Sequence, residues 1–428
     1  MRRDSGIIVV LGLFLLIGYP LLRSRQHLLT PMRDLHLPPH RAGTLILAVD
    51  GEMSEGAFQE MLETWRLSLL ETYPDIGAFL LGHRGEVPLG RLLPHLRRIP
   101  HVRFVSPDHL CKPPFLFAGP ARREWAGGAM PQEPFPVATL PLRSTIPTAL
   151  LSSPVDLEHP ALQGLRWLNP GEDSDHDGYA DPHDLNGLDD DGNGFIDDLF
   201  GWNFVTRAPA VEGWTFTEPN ALLAGTAMGG LLATGFAHDV GARLRWMPLS
   251  VFAYDPDRRY VECSDSTVIP AILYAVRRGG RIVVVGVTPQ EGNSPALQAV
   301  FRFASDTLFI LPAMTEGVTH LEEGENLLRV AALDASGERA RYVRTNAFDL
   351  AAPGEGVVAP LAGGGYAPFS GNGIAALQVA RAAVLLASLT PDLSATALKR
   401  LLVESAAPLA GGGKRLDLPQ AISNLPDP

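Results

Sequence analysis

Four consecutive residues, Ile282-Val283-Val284-Val285, restrict the possible fold more than any other stretch of this sequence. Their β-branched side chains favour extended backbone, and they project from both faces of the strand they would form. A strand apolar on both faces needs cover on both. That is the environment of a central strand in a parallel sheet with helices on either side. The flanking sequence repeats the theme. Strands are predicted at 149–151, 245–252, 281–287, 307–312 and 327–333, and helices at 222–233, 270–278, 296–304 and 374–389. Thr390-Pro391-Asp392 then precedes a last helix near 394–404. Strands alternating with helices in this way predict a doubly wound α/β domain over 148–425.

A smaller unit precedes it, over 44–110. Thr44 to Val49 reads as a strand. The stretch 56–73 has helical spacing, with Phe58, Met61, Leu62, Trp65, Leu69 and Leu70 on one apolar face. A strand at 76–81, a helix at 92–98 and a strand at 102–105 complete a β-α-β-α-β order, which predicts a small α+β domain with helices on one face of its sheet. Residues 111–147 connect the two units. With 46% hydrophobic and 19% charged residues in 428, the chain has enough apolar surface for both cores, and disorder is excluded. Its 43 Gly and 37 Pro fit the many short loops such a protein needs.

The first 25 residues carry a different signal. Arg2 and Arg3 precede an apolar run from Gly6 to Leu22, and Arg23 and Arg25 follow it. No small-x-small cleavage site comes after the run. We therefore expect an uncleaved signal-anchor, a membrane helix with the body outside the cytoplasm, rather than a removed signal peptide. A polar, Pro-rich linker occupies 26–43. The expected location is a bacterial cell envelope, anchored in the inner membrane and facing outward, or secreted. Such a compartment allows Cys111 and Cys263, the two cysteines of the chain, to pair, although two buried thiols are equally compatible with composition.

The net charge of −12 is local. Eleven of the 47 acidic residues lie within 171–200, where there is no Lys or Arg, which leaves 36 acids against 35 bases elsewhere. No basic field exists for nucleic acid, and that partner is excluded. The acids also have a spacing. Asp173, Asp175, Asp177, Asp181 and Asp184 occupy loop positions 1, 3, 5, 9 and 12, with Gly178 at position 6. Asp189, Asp191, Asn193 and Asp197, with Gly194, begin a second such loop, but its twelfth position is Phe200; Asp198 or another segment would have to close it. This is the spacing by which a short loop wraps oxygens around Ca²⁺, and a structural Ca²⁺ is the expected cofactor.

Several blocks carry a resemblance to subtilisin-like serine proteases, the subtilases. In order they are Val155-Asp156-Leu157-Glu158-His159-Pro160-Ala161-Leu162; Asp189 to Asp198 with Gly201-Trp202-Asn203-Phe204; Met247-Pro248-Leu249; Ala351-Ala352-Pro353-Gly354; and Gly363-Gly364-Gly365-Tyr366-Ala367 leading to Ser370-Gly371. The smaller unit resembles the subtilase propeptide. The resemblance implies a subtilisin-like doubly wound parallel sheet flanked by helices, preceded by a small α+β propeptide-like domain, to which the apolar run adds an N-terminal membrane helix. It also places the family's catalytic positions. The Asp block reads Ser152-Ser153-Pro154-Val155-Asp156, with Ser152 in the acid's place. The His block reads Ala224-Gly225-Thr226-Ala227-Met228-Gly229-Gly230, with Ala224 for the base. The nucleophile block reads Gly371-Asn372-Gly373-Ile374-Ala375-Ala376-Leu377, with Gly373 for the serine, and Thr315 stands at the oxyanion position.

Serine-protease chemistry needs a nucleophile, a base, an orienting acid and oxyanion donors. The sequence therefore predicts a pseudoprotease, an inactive homologue that is not an enzyme. It would be membrane-tethered and calcium-stabilised, and would bind a peptide or protein partner and its own propeptide-like domain. Two other readings stay open: an active endopeptidase with non-standard catalytic residues, for which His238, Ser153 and Ser370 are the available groups, and a structural envelope protein. The resemblance also puts the tail at 107–114 in the substrate cleft and Cys263 on its wall, so that a Cys111–Cys263 disulfide would lock the tail there.

Overall fold

The computed structural model describes residues 37–112, 117–118, 144–162, 167–181, 183–210, 225–233, 244–255, 260–289, 294–314 and 324–426. The apolar run at 6–22, Ala224, His238 and Thr315 lie outside them.

The first domain runs β1 (His40–Val49), α1 (Glu55–Thr64), β2 (Leu67–Tyr73), β3 (Ala78–His83), α2 (Leu89–Leu96) and β4 (Val102–His109). Its strands form an antiparallel sheet in the order β2-β3-β1-β4. The Ser54 hydroxyl accepts the Ala57 N–H and starts α1. The predicted helix over 56–73 is corrected here. α1 stops at Thr64, Arg66 takes a left-handed φ of 52°, and the chain turns into β2. Trp65, Leu69 and Leu70 continue the helical spacing in the sequence, but Leu69 and Leu70 belong to β2, which carries a bulge between Leu69 and Glu71. Leu69 and Leu70 are accordingly half exposed, not part of a buried face.

β1 explains how this domain sits on the next. Leu45 and Leu47 pack with Phe58, Leu62, Leu92 and Leu93 of its own helices. The alternate residues Ile46 and Ala48 pack with Tyr73, Leu80, Val268 and Ile272, the last two from the second domain. All four β1 side chains are fully buried because the sheet lies between two layers.

The tail then forms β5 (Cys111–Lys112) and β6 (Phe117–Ala118). The second domain begins with β7 (Ile146–Ser152), β8 (Trp202–Asn203) and β9 (Ala208–Pro209). It continues with α3 (Gly225–Ala233), β10 (Leu244–Ser250), β11 (Ala253–Asp255), β12 (Tyr260–Glu262), α4 (Asp265–Arg277), β13 (Ile282–Val285), β14 (Thr288–Pro289), α5 (Pro295–Phe303) and β15 (Leu308–Pro312). It ends with β16 (Leu327–Leu333), β17 (Leu350–Pro353), β18 (Val357–Pro360), β19 (Tyr366–Ser370), α6 (Asn372–Leu389), α7 (Ala395–Glu404), β20 (Ala407–Pro408), β21 (Lys414–Arg415) and α8 (Leu418–Ser423).

Among the described residues the main sheet has ten strands, in the order β20-β21-β17-β16-β15-β13-β7-β10-β8-β9. Its centre, from β17 to β10, is parallel. The all-apolar strand β13 lies between β7 and β15 with all four side chains buried. Ile282 and Val284 face the layer of α3, α6, α7 and α8, whereas Val283 and Val285 face α4, α5 and the first domain. Among the described helices, α6 alone is long and apolar enough to cross a membrane, but 89% of it is buried inside the protein, which makes it the core helix beneath the sheet.

Candidate functional site

In a doubly wound sheet, loops that carry chemistry gather at the carboxyl ends of the parallel strands. Here β7 ends at Ser152, and the loop after it meets the start of α3. The Ser153 hydroxyl accepts the Gly225 N–H at 2.9 Å, and the Asp156 N–H donates to Thr226 Oγ1 at 2.9 Å. A Cβ at Gly225 would lie 2.3 Å from the Ser153 carbonyl oxygen and 2.5 Å from that of Pro154, so glycine alone permits this approach. Ser152 is fully buried and donates its hydroxyl to the Ser153 carbonyl oxygen at 2.9 Å.

The start of α6 closes the other side. Gly371, at φ 152°, precedes the helix, and its N–H donates to the Gly354 carbonyl at 2.7 Å. Asn372 is buried. Its Oδ1 accepts the Ala332 N–H at 2.9 Å and its Nδ2 donates to the Ala313 carbonyl, so one side chain fastens α6 to the ends of β15 and β16. Sequence reading passed over Asn372. The available signal was an amide at the head of an apolar helix, where a buried polar group needs fixed partners. Gly373 is buried in the first turn of α6 and has no side chain to offer there. Ser370 Oγ accepts the Gly356 N–H at 2.9 Å. Among the described residues neither Ser153 nor Ser370 hydrogen-bonds to a histidine. His159 accepts the Ala161 N–H at Nδ1, so its Nε2 carries the proton given to the Gly365 carbonyl.

The chain's own tail pairs with β14, which follows β13, and with β19, which leads into α6. β5 pairs antiparallel with β14, Lys112 opposite Thr288 and Cys111 opposite Pro289. β6 pairs antiparallel with β19, Phe117 opposite Ser370 and Ala118 opposite Phe369. Cys111 is disulfide-bonded to Cys263, with 5.1 Å between their Cα atoms, and its N–H donates to the Cys263 carbonyl. Just before the tail, Asp108 reaches the head of α4, where its carboxylate accepts both the N–H and the hydroxyl of Ser266, at 2.9 and 2.7 Å. His109 Nδ1 meets Asp265 Oδ2 at 2.9 Å, and the Ser294 hydroxyl donates to the same oxygen. Asp108, His109 and Asp265 are all buried. Burial, with the Asp265 charge added, pushes the Asp108 carboxyl above its ordinary value.

The acidic insertion forms two clusters by its first loop. Oxygens of Asp173, Asp175 and Asp184 come within 4.8 Å of one another, as do those of Asp175, Asp177 and Asp181. Asp173 Oδ2 accepts the Gly178 N–H, but its Oδ1 is buried with no partner. An orphaned buried carboxylate oxygen beside two other carboxylates is the environment a hard cation satisfies, so these residues fit Ca²⁺. The second loop gathers a different set from the one its spacing suggested. Asp189 accepts the Asn193 and Gly194 N–H groups, and Asp197 accepts the Gly187 N–H with both oxygens. The carboxylates that meet are Asp191, Asp198 and Glu172. Spacing within one loop gave no hint of Glu172, which precedes both loops. Arg278 sits 2.7 Å from Asp191 and 3.6 Å from Asp198. Asn169 and Asn193 also donate to Asp198, and Tyr274 gives it a short hydrogen bond. Burial, reinforced by the Asp198 charge, pushes the Glu172 carboxyl up to about 7.

Comparison with known proteins gives the arrangement a context. No family model matches the chain. The chain is 28% identical over 148 residues to alkaline elastase YaB of Bacillus sp. (strain YaB), covering 33% of this chain and 39% of that protein. It is 21% identical over 323 residues to subtilisin-like protease 1 of Plasmodium berghei (strain Anka), covering 65% of this chain and 50% of that protein. It thus spans half or less of the curated relatives it matches. Among solved structures, fervidolysin from Fervidobacterium pennivorans, described as a keratinolytic enzyme related to subtilisin, superposes with a TM-score of 0.66. That match has 15% identity and covers 92% of this chain and 63% of the other; it is a likeness of fold.

These comparisons correct one expectation. The residues at 152, 224 and 373 predict a chain that is no enzyme. The relatives and the structural neighbour all carry the names of proteolytic enzymes, and nothing among the described residues demonstrates inactivity.

Proposed function

We propose, from the premise that this chain is a member of the subtilisin-like protease family, that its cleft engages polypeptide as an extended strand. The observation that carries this reading is the antiparallel pairing of β5 with β14 and of β6 with β19. Main-chain pairing recognises extended peptide whatever its sequence, and side-chain pockets then select among peptides. The first domain, resembling a propeptide, supplies the strand in cis. The acidic insertion binds Ca²⁺ through Asp173, Asp175 and Asp184, supported by the orphaned Asp173 oxygen, and the ion orders a loop with few apolar contacts. The apolar run at 6–22 with its flanking arginines holds the body at the outer face of a membrane.

The family's chemistry is peptide-bond hydrolysis. In this chain Gly373 offers no oxygen and Ser152 no charge, so a hydrolytic step draws its nucleophile from another group. Ser370, hydrogen-bonded only to the Gly356 N–H among described partners, and Ser153 are the hydroxyls beside the cleft.

The test is incubation of the full chain with an unfolded protein in calcium, read by intact mass and by co-elution on size exclusion. Co-elution or fragmentation of the substrate supports polypeptide engagement. Loss of fragmentation on Ser370→Ala would assign the nucleophile. A substrate that neither co-elutes nor is cut removes the reading.

A further inference from the structure

We infer that the first domain is held to the second by two separate covalent links, so that cutting the connecting segment releases nothing until the Cys111–Cys263 bond is reduced. Cys111 comes two residues after β4, the last strand of the first domain. Cys263 comes two residues before α4, the helix on which that domain sits. The disulfide spans 152 residues of sequence. Everything between Lys112 and Ile146 therefore lies outside the shorter link between the domains. A cut anywhere in 113–143 opens the main chain and leaves the disulfide in place.

The surroundings of the disulfide favour its persistence. Cys111 is 5% exposed and Cys263 1% exposed, so an attacking thiolate has little access in the closed state. Beside it, Leu110 bridges to Ser264 and the Cys111 N–H bonds the Cys263 carbonyl. Asp108 and His109 anchor the same stretch to Ser266 and Asp265. Local fluctuations that would present a sulfur must break these contacts together.

The chemistry of release is an exchange with a dithiol. One of its thiolates attacks Cys111 or Cys263, the S–S bond breaks, and a mixed disulfide forms. The second thiol of the reductant displaces the bound cysteine. Two electrons have then moved to the protein, both cysteines leave as thiols, and the reductant leaves as its own disulfide. While the bond lasts, the domains meet at an effective concentration on the order of millimolar, and dilution does not separate them. After reduction of a cut chain, their association depends on concentration. Retention stands on the cysteine positions alone. Its consequence for the cleft, continued occupation of β14 by the Cys111–Lys112 strand, rests on the polypeptide-binding reading above.

The experiment places a recognition sequence for a specific protease between Gly127 and Gly128 of the full chain, kept in detergent. The chain is cut to completion and diluted to nanomolar concentration on size exclusion, with and without dithiothreitol. The cut, oxidised protein is expected to elute as one species, and dithiothreitol to release the first domain. A Cys111→Ser/Cys263→Ser variant, monodisperse before cutting, is expected to release it without reductant. Release from the cut, oxidised wild type would overturn the inference. So would a single undissociated species from both the reduced protein and the double variant. Absence of polypeptide binding in either form would remove the proposed function and leave retention untouched.

Discussion

Asp108 belongs to one domain and caps a helix of the other. Replacing it by Ala strips the Ser266 N–H and hydroxyl of their acceptor, and we expect a loss of about 1–2 kcal/mol, measured by urea unfolding. The same carboxyl makes a pH prediction. Its folded value lies above the ordinary 3.8, because burial and Asp265 disfavour the charge. The folded state thus holds the proton more tightly than the unfolded one. Its contribution is fully present below 3.8 and is lost as pH rises through the raised value. Comparing melting temperature against pH for wild type and Asp108→Asn, the difference should change over that window and level off above it. Parallel curves would show that the carboxyl does not titrate across unfolding. Asn372 is a second residue of this kind. Asn372→Ala leaves the buried Ala332 N–H and Ala313 carbonyl unpaired, and a loss of about 2–4 kcal/mol is expected in the same assay.

At the scale of elements, the close contact of α3 with β10 is set by Gly229 and Trp246. A Cβ at Gly229 would lie 2.5 Å from the Trp246 ring, which is fully buried. Gly229→Ala improves helix propensity by about 1 kcal/mol, but it presses a rigid indole into a packed layer at about 1–3 kcal/mol. Net destabilisation is expected, and Trp246→Phe should relieve it. The double-mutant cycle should give a favourable coupling; additive effects would mean that the two elements do not meet at this point. Leu69 and Leu70 continue the helical spacing of α1, yet the left-handed turn at Arg66 had already ended the helix.

For the molecule as a whole, calcium binding by the acidic insertion would link solution conditions to stability. If Asp173, Asp175 and Asp184 hold Ca²⁺, the ion stabilises the folded chain by about 2.7 kcal/mol at a hundred times its dissociation constant. Chelation should lower the melting temperature, added Ca²⁺ should restore it, and Asp184→Asn should abolish the response. A melting temperature indifferent to chelator would remove calcium from the account. Because the first domain shares a core with α4 and α5, the uncut chain is expected to melt in one transition in this measurement.

Period and order in the sequence determined the α/β class, the central place of β13 and the succession of a small domain and a large one. Those follow from local rules: which faces are apolar, and in what succession. The gathering of carboxylates in the first acidic loop was legible for the same reason, since Asp173, Asp175 and Asp184 are near neighbours in sequence. The tertiary structure decided what depends on residues far apart. It brought Glu172 to Asp191 and Asp198, seated Asn372 between β15 and β16, and set Asp108 on α4. It also gave β1 its meaning. Leu45, Ile46, Leu47 and Ala48 announce a strand buried on both faces, but a sequence does not say what covers the second face. Here the cover is another domain, and only long-range packing could supply it.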